Sequence, residues 1–249
     1  MSFQDHFSDR APQYARSRPL YPVELIDYLA DVAPRAELAW EAGCGSGQFT
    51  RLLSANFKRV AATDASVQQL SFAPMLHGVS YHCALAEACA LPASSADLVV
   101  AAAAAHWFDL PHFYEEARRV GGPDSAIALI TYHHTTVMDE VDVVMREFHE
   151  FLLDGHWPPE RRHVDSAYTT FDFPFPAIDA PPFEIVAQWK LDQLLGYVDT
   201  WSGVRALINA GGEAKLQSFR EAVGDAWGDS ETVRTVRWPL ALKLGRIHG

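Results

Sequence analysis

The residues with the clearest chemical content are Glu41-Ala42-Gly43-Cys44-Gly45-Ser46-Gly47 and, 21 positions after Gly43, Asp64. Three glycines at alternate positions let a backbone fold closely around a ligand and adopt conformations closed to residues with a side chain. An acid at position 64, ending the next strand, is placed to accept both hydroxyls of a ribose. Two cofactors share that geometry. A nicotinamide dinucleotide requires G-x-G-x-x-G, so that its pyrophosphate meets the N-terminus of a helix. Here the third glycine comes one place early, and Gln48 stands where Gly or Ala is wanted. Glu41 also lies two positions before the first glycine, where a carboxylate repels a diphosphate and suits a cation. S-adenosylmethionine carries an ammonium, a sulfonium and no phosphate, so the charges favour it over a nicotinamide cofactor.

Methyl transfer from a sulfonium is an in-line displacement in which alignment and exclusion of water do most of the work. A carboxylate acceptor needs no general base. A hydroxyl acceptor needs one with a pKa near neutrality, and His106, following the fourth strand, is the candidate. Trp107 and Phe108 beside it are candidate pocket walls. His133, with His134, adjoins the end of the fifth strand and is a candidate acceptor contact. Tyr14 and Arg18 lie four apart, on one face of a helix, where Arg18 can fork onto a cofactor carboxylate. Arg161-Arg162-His163 suits an anionic substrate, although such charge runs commonly face water. No Cys/His spacing suggests a metal site, and neither a Gly-x-Ser-x-Gly elbow nor a lysine-bearing phosphate loop is present.

These groups need elements to hold them. Apolar runs at 38–41, 60–63, 98–103 and 126–132, and an alternating stretch at 79–84, read as strands. Helical patterns start at Pro22 and near Gln48 and Ser66, the last with Val67 and Leu70 buried, and another spans 110–120. Strand and helix alternate four times, which predicts an α/β chain with a parallel sheet covered on both faces. A helix over 139–153 follows, with Val141, Val144, Met145, Phe148 and Phe151 or Leu152 inward. Residues 157–182, beginning at Trp157, are rich in proline and aromatics and read as an ordered cap or pocket wall. A strand at 183–189, two helical segments and a closing strand at 232–244 complete one domain over 1–249.

The glycine segment, Asp64-Ala65-Ser66, Ala86-Glu87 with Leu91-Pro92, and Asp97-Leu98-Val99 running through Ala103 to His106-Trp107-Phe108-Asp109 together resemble the class I S-adenosylmethionine-dependent methyltransferases. Within that class the chain resembles the small-molecule branch that includes trans-aconitate methyltransferase. Phe7 and Tyr14-x-x-x-Arg18-Pro19-x-Tyr21-Pro22 are similar to the branch's N-terminal lid, here residues 1–21. The resemblance covers nearly the whole chain and implies a Rossmann-like, doubly wound, seven-stranded sheet, mostly parallel with an antiparallel closing strand. It implies an inserted cap at 133–182 over the acceptor site. For the cofactor it implies Phe7, Tyr14, Arg18, Glu41, Gly43, Cys44, Gly45, Gly47, Asp64, Ala65, Ala86, Glu87 and Ala103, and for the acceptor Trp107, Phe108, His133 and Trp157. Ala103-Ala104-Ala105-His106 replaces the Asn/Asp-Pro-Pro-Tyr/Phe of amino-group methyltransferases acting on DNA and protein glutamine, which disfavours those acceptors. One departure from the family pattern is Gly121-Gly122-Pro123-Asp124, which implies a reshaped turn before the fifth strand.

The 249 residues include 20 Lys+Arg and 32 Asp+Glu, a formal charge of −12 that weighs against nucleic acid as a partner. The longest uncharged apolar stretch, 98–105, is far shorter than the roughly 20 residues of a membrane helix. Three cysteines cannot pair completely, and the first residues carry no apolar signal region, so a cytoplasmic setting is expected. The expectation is a methyltransferase acting on a small molecule, most simply at a carboxylate or hydroxyl oxygen, as a monomer or homodimer. A non-catalytic cofactor-binding partner or sensor, and a nicotinamide oxidoreductase, are the alternatives.

Overall fold

The structure is a computed structural model that describes residues 18–132 and 134–248. Phe7, Tyr14 and His133 lie outside the described residues.

The first strand, β1 (Leu38–Ala42), is buried along its whole length, as a central parallel strand must be. It follows α1 (Val23–Val32), which begins at Pro22 and buries Leu25, Ile26 and Leu29. The glycine turn leads into α2 (Gln48–Asn56), β2 (Arg59–Asp64), the single-turn α3 (Val67–Leu70) and β3 (Val79–Cys83). Next come β4 (Ala96–Ala102), a 3₁₀ turn (Ala105–Trp107), α4 (Leu110–Val120) and β5 (Gly121–Tyr132). The remainder is α5 (Asp139–Glu147), a π-turn (Phe148–Leu152), α6 (Arg161–Asp165), β6 (Glu184–Trp189), α7 (Leu191–Val198), α8 (Ser202–Asn209), α9 (Glu213–Trp227) and β7 (Arg234–Arg246).

Seven strands form one sheet in the order β3-β2-β1-β4-β5-β7-β6. The pairs β1–β2, β1–β4, β2–β3 and β4–β5 are parallel, and β7 runs antiparallel to both β5 and β6. The closing strand thus lies inside the sheet, between its two predecessors. Alternate residues of β4 and β5 serve two cores. Leu98, Val100, Ala126, Ala128 and Ile130 meet α1 and α2, while Val99, Ala101, Ile127 and Leu129 meet α4. A third core joins α5, α7, α8 and α9 to β6 and β7 around Phe148, Tyr197, Phe219 and Trp238.

Several expectations are corrected. Three helices, not two, separate β6 from β7. Val67 is 67% exposed, and the buried residue of α3 is Gln69, because Ser66 caps the turn by accepting from the Gln69 N–H and aims that side chain inward. Phe151 and Leu152 are exposed and Leu153 is buried. The wider π-turn, closed by Leu153 N–H donating to the Phe148 carbonyl (2.9 Å), moves the inward position on by one residue. The aromatic half of 157–182 is core: Phe171 and Phe175 are buried against α4, Phe175 edge-on to Tyr114 at 5.2 Å. β5 starts at Gly121, directly after α4, and its ladder with β4 shifts register between the Ala96–Gly121 and Leu98–Ala126 pairs. Within that irregular start Asp124 is left-handed, φ +59°.

Among the described residues no helix is long and apolar enough to cross a membrane. Cys44, Cys83 and Cys89 are free thiols, the first and last buried.

Candidate active site

A cavity of about 810 Å³ opens over the carboxyl ends of β1, β2, β4 and β5, where the sheet order reverses between β1 and β4. At one end are Glu41, the glycine turn, Asp64 and Ala65, with Ala86 and Glu87. At the other are His106, Trp107, Tyr132, Arg161, Tyr197 and Trp201. Arg18, Cys44, Ala103 and Phe108 also line it.

The turn after β1 demands glycine for two separate reasons. Gly43, Gly45 and Gly47 all have positive φ, +71°, +54° and +80°, in the region that penalises a side chain. At Gly43 a Cβ would also stand 2.6 Å from the Ala104 Cβ and 3.0 Å from the Phe108 ring. Gly47 is the N-cap of α2 and is not among the residues facing the cavity. Its left-handed turn, closed by its N–H on the Cys44 carbonyl (3.0 Å), directs the chain into the helix. Gly45 has only Gln69 nearby, at 3.9 Å, so its open side belongs to the cavity.

Two carboxyl groups flank this turn. Asp64 Oδ2 accepts from the Gly45 N–H and Oδ1 from the Ser66 N–H, both at 2.8 Å, which fixes its rotamer. Glu41 is buried in β1 and accepts from the Thr50 hydroxyl. Burial pushes its pKa up to about 8; the Thr50 bond pulls it down and the charge of Asp64 adds to the rise. Burial likewise pushes the Cys44 thiol far up, leaving it protonated and unreactive. The lining contributed by β1, β2 and the segments after them holds no lysine or arginine. It suits a cationic, phosphate-free nucleoside and offers a diphosphate no counter-charge. Glu87 accepts from the Asp109 N–H (2.7 Å), tying the strand β3 side of the cavity to the segment entering α4.

The far end differs in sign. His106 Nδ1 lies 3.0 Å from the Tyr168 hydroxyl and its ring sits beside Trp107 at 4.8 Å. Burial lowers its pKa to about 3, assisted by Arg161, by the neighbouring His163 ring and by Arg18; burial also lowers the pKa of His163. That corrects the expectation of a histidine titrating near neutrality. Arg161 donates from Nε to Asp165 (2.8 Å) and lies 4.7 Å over the Trp157 ring. Trp157 is not among the cavity-lining residues, contrary to expectation, and supports Arg161 from behind. Arg18 donates to the Tyr132 hydroxyl (3.1 Å) and lies 5.4 Å over the Tyr197 ring.

Sequence reasoning gave Tyr168, Tyr197 and Trp201 no site role, although Thr200-Trp201-Ser202 belongs to the family resemblance, and set aside the run at 161–163. In the structure α6 turns Arg161 and His163 to the cavity and Arg162 to solvent. The signal was there in the helical period, which cannot point three consecutive residues the same way.

A doubly wound sheet with an acidic glycine turn after β1 and an acid ending β2 defines a nucleoside-cofactor enzyme of the methyltransferase class. Comparison with known proteins agrees. The methyltransferase domain family matches residues 40–129. A Dictyostelium discoideum protein named as a methyltransferase is 30% identical over 252 residues, covering 98% of this chain and 95% of that one. A structure from Anaeromyxobacter dehalogenans, named as a type II methyltransferase, is 44% identical with a TM-score of 0.87, covering 93% of this chain and 98% of its own. An Anabaena variabilis structure named for a methyltransferase of antibiotic biosynthesis, 15% identical with a TM-score of 0.55, shares the fold over 91% of this chain and 99% of its own. The chain belongs to the S-adenosylmethionine-dependent methyltransferases, and S-adenosylmethionine is its cofactor.

Proposed function

We propose that the enzyme methylates an oxygen of a small, anionic acceptor, a carboxylate in preference to a hydroxyl. The observation that carries this reading is the electrostatics around His106. An imidazole with a pKa near 3 is a weak base at neutral pH and a poor partner for a hydroxyl that must lose its proton. The guanidinium groups that help depress it, Arg161 and Arg18, instead favour a nucleophile that arrives already charged. When bound, S-adenosylmethionine would supply a methyl carbon on a sulfonium, open to in-line attack by an oxygen nucleophile in which the O–C bond forms, the C–S bond breaks and a neutral thioether leaves.

The chain's own residues then position, enclose and neutralise. Gly43, Cys44 and Gly45 allow close approach of the nucleoside, Asp64 accepts from the ribose, and Ala65, Ala86 and Glu87 flank the base. Glu41 would hold the cofactor's ammonium, with Ala103, directly after β4, lining the same cavity. Arg18, with Phe7 and Tyr14 of the 1–21 lid, takes the cofactor carboxylate. Trp107, Phe108 and Trp201 form apolar walls for the acceptor, His133 contacts it, and Arg161 meets its charge with Trp157 behind. The cap over the acceptor is formed by 158–164, within 133–182, together with 197–202. Two features support transfer rather than mere binding: the acceptor end is hollow, and its walls carry directed charge.

The test is a labelled-methyl transfer screen over paired acids, alcohols and amines. Carboxylic acids are the expected substrates, and Arg161→Gln raises their KM by about tenfold, the worth of one charge-assisted hydrogen bond. Turnover of alcohols or amines with acids inert would overturn the acceptor class. Separately, Asp64→Ala is expected to abolish tight S-adenosylhomocysteine binding.

A further inference from the structure

We propose that Tyr168 is a positioning residue that locks His106 in a single neutral tautomer, presenting Nε2–H to the acceptor as a hydrogen-bond donor. The inference rests on the carboxylate reading only for the identity of the group that receives the bond.

Three independent features place Tyr168 in this role. The first is geometric. Its hydroxyl meets Nδ1 of His106 at 3.0 Å, and no hydrogen bond among the described residues engages Nε2. A phenol O–H is far more acidic than a neutral imidazole N–H, so the hydroxyl donates, Nδ1 accepts, and the ring proton resides on Nε2.

The second is burial. Tyr168 is completely covered and stacks on Phe171 at 4.4 Å with planes 20° apart. Burial drives its hydroxyl well above the ordinary phenol range, which keeps the proton on oxygen. His106 is neutral for the same reason, so the couple carries no charge of its own. It adds a donor to a site whose positive charge already comes from Arg161 and Arg18.

The third is backbone conformation. Helix α6 ends with the Tyr168 N–H on the His163 carbonyl and the Ala167 N–H on the Val164 carbonyl, both 2.8 Å. That is a Schellman pair, which accounts for a left-handed residue at Ala167, φ +52°. It does not account for Tyr168 itself, at φ +58°. A bulky aromatic there is an outlier, and such conformations persist where the surroundings over-determine them. The same short segment thus turns Arg161 and His163 to the cavity and then bends against its preference to bring the phenol onto His106.

Long-range ¹H–¹⁵N spectra of histidine side chains in the full chain, assigned with His106→Gln, read the tautomer directly. The expected wild-type state is Nε2–H, unprotonated down to about pH 5. Tyr168→Phe, which keeps the buried ring, is expected to give a tautomer mixture, with S-adenosylhomocysteine affinity within twofold of wild type. A wild-type Nδ1–H tautomer, or an unchanged tautomer in Tyr168→Phe, overturns the proposal; the wild-type spectrum decides even if the variant fails to fold. Titration with benzoate and hexanoate against their alcohols then tests the acceptor. Acids that shift the Nε2–H resonance, more weakly by about tenfold in Tyr168→Phe, support both readings. A shift with the alcohols alone overturns the carboxylate reading while leaving the Tyr168 couple standing.

Discussion

Cofactor binding should expel a proton, and Glu41 should be its source. This side chain lies within β1, almost wholly buried yet bordering the cavity, and accepts a hydrogen bond from Thr50. Burial, opposed by that bond and reinforced by the charge of Asp64, raises its pKa from 4.5 to about 8. Between those values the folded protein holds a proton that the unfolded chain has released. The group's contribution to stability is therefore complete below about pH 4.5 and is lost as pH rises through about 8, a total of roughly 4–5 kcal/mol at 1.36 kcal/mol per pH unit. An ammonium set against the carboxyl group reverses the preference. At pH 7 a group with a pKa near 8 is protonated in roughly nine molecules of ten, so binding releases nearly one proton. Calorimetric titration with S-adenosylhomocysteine at pH 7 in phosphate and in Tris measures this. The two apparent enthalpies should differ by almost the full difference in buffer ionisation enthalpy. That difference should vanish in Glu41→Gln and shrink above pH 9. Identical enthalpies in the wild type, or a buffer dependence that survives in Glu41→Gln, would refute the reasoning.

The glycine turn separates packing from function. Gly43→Ala, with its Cβ driven to 2.6 Å from Ala104 at φ +71°, should cost at least about 2 kcal/mol by thermal unfolding. Gly45→Ala meets nothing closer than 3.9 Å and should cost only about 1 kcal/mol, yet weaken S-adenosylhomocysteine at least tenfold in the same titration. Equal effects of the two on affinity and stability would show that the open side of Gly45 is not the cofactor's. Asp97 should behave oppositely. It is buried and accepts from Arg35 Nε and Nη2 and from the Glu37 and Leu38 N–H groups, stapling β4 to the start of β1. Asp97→Ala should lose roughly 2–3 kcal/mol in urea unfolding with unchanged cofactor affinity, because it strands a buried N–H far from the cavity lining.

What could be read from the sequence was whatever is imposed locally. The turn after β1 needs glycine because of its own φ angles, and Asp64 is held by N–H groups of the adjoining loops, so residue types alone betray both. Buried parallel strands are apolar runs, which is why β1, β2, β4 and β5 were visible even where their ends were not, while the edge strand β3 showed through its alternation. The misplacements have equally local causes: a capping serine that turned Gln69 inward, a π-turn that shifted Phe151 outward, and a helix that passes into β5 without a loop.

The acceptor end has another origin. Its pieces arrive from distant parts of the chain: Tyr168 meets His106 across 62 residues, and Arg18 meets Tyr132 across 114. No periodicity or spacing encodes such encounters; they follow from how α6 and the α7–α8 segment pack over the sheet. A charge run such as 161–163 looks solvated until a neighbouring ring covers one side of its helix, as Trp157 does for Arg161. The two halves of the cavity therefore carry different information. The cofactor half is written in a short motif that any relative can share, whereas the acceptor half depends on side chains delivered by segments free to vary around an unchanged sheet. Two chains with the same glycine turn can thus serve different acceptors, and the carboxylate proposed for this one stands or falls with the charge around His106 and the hydroxyl against its ring.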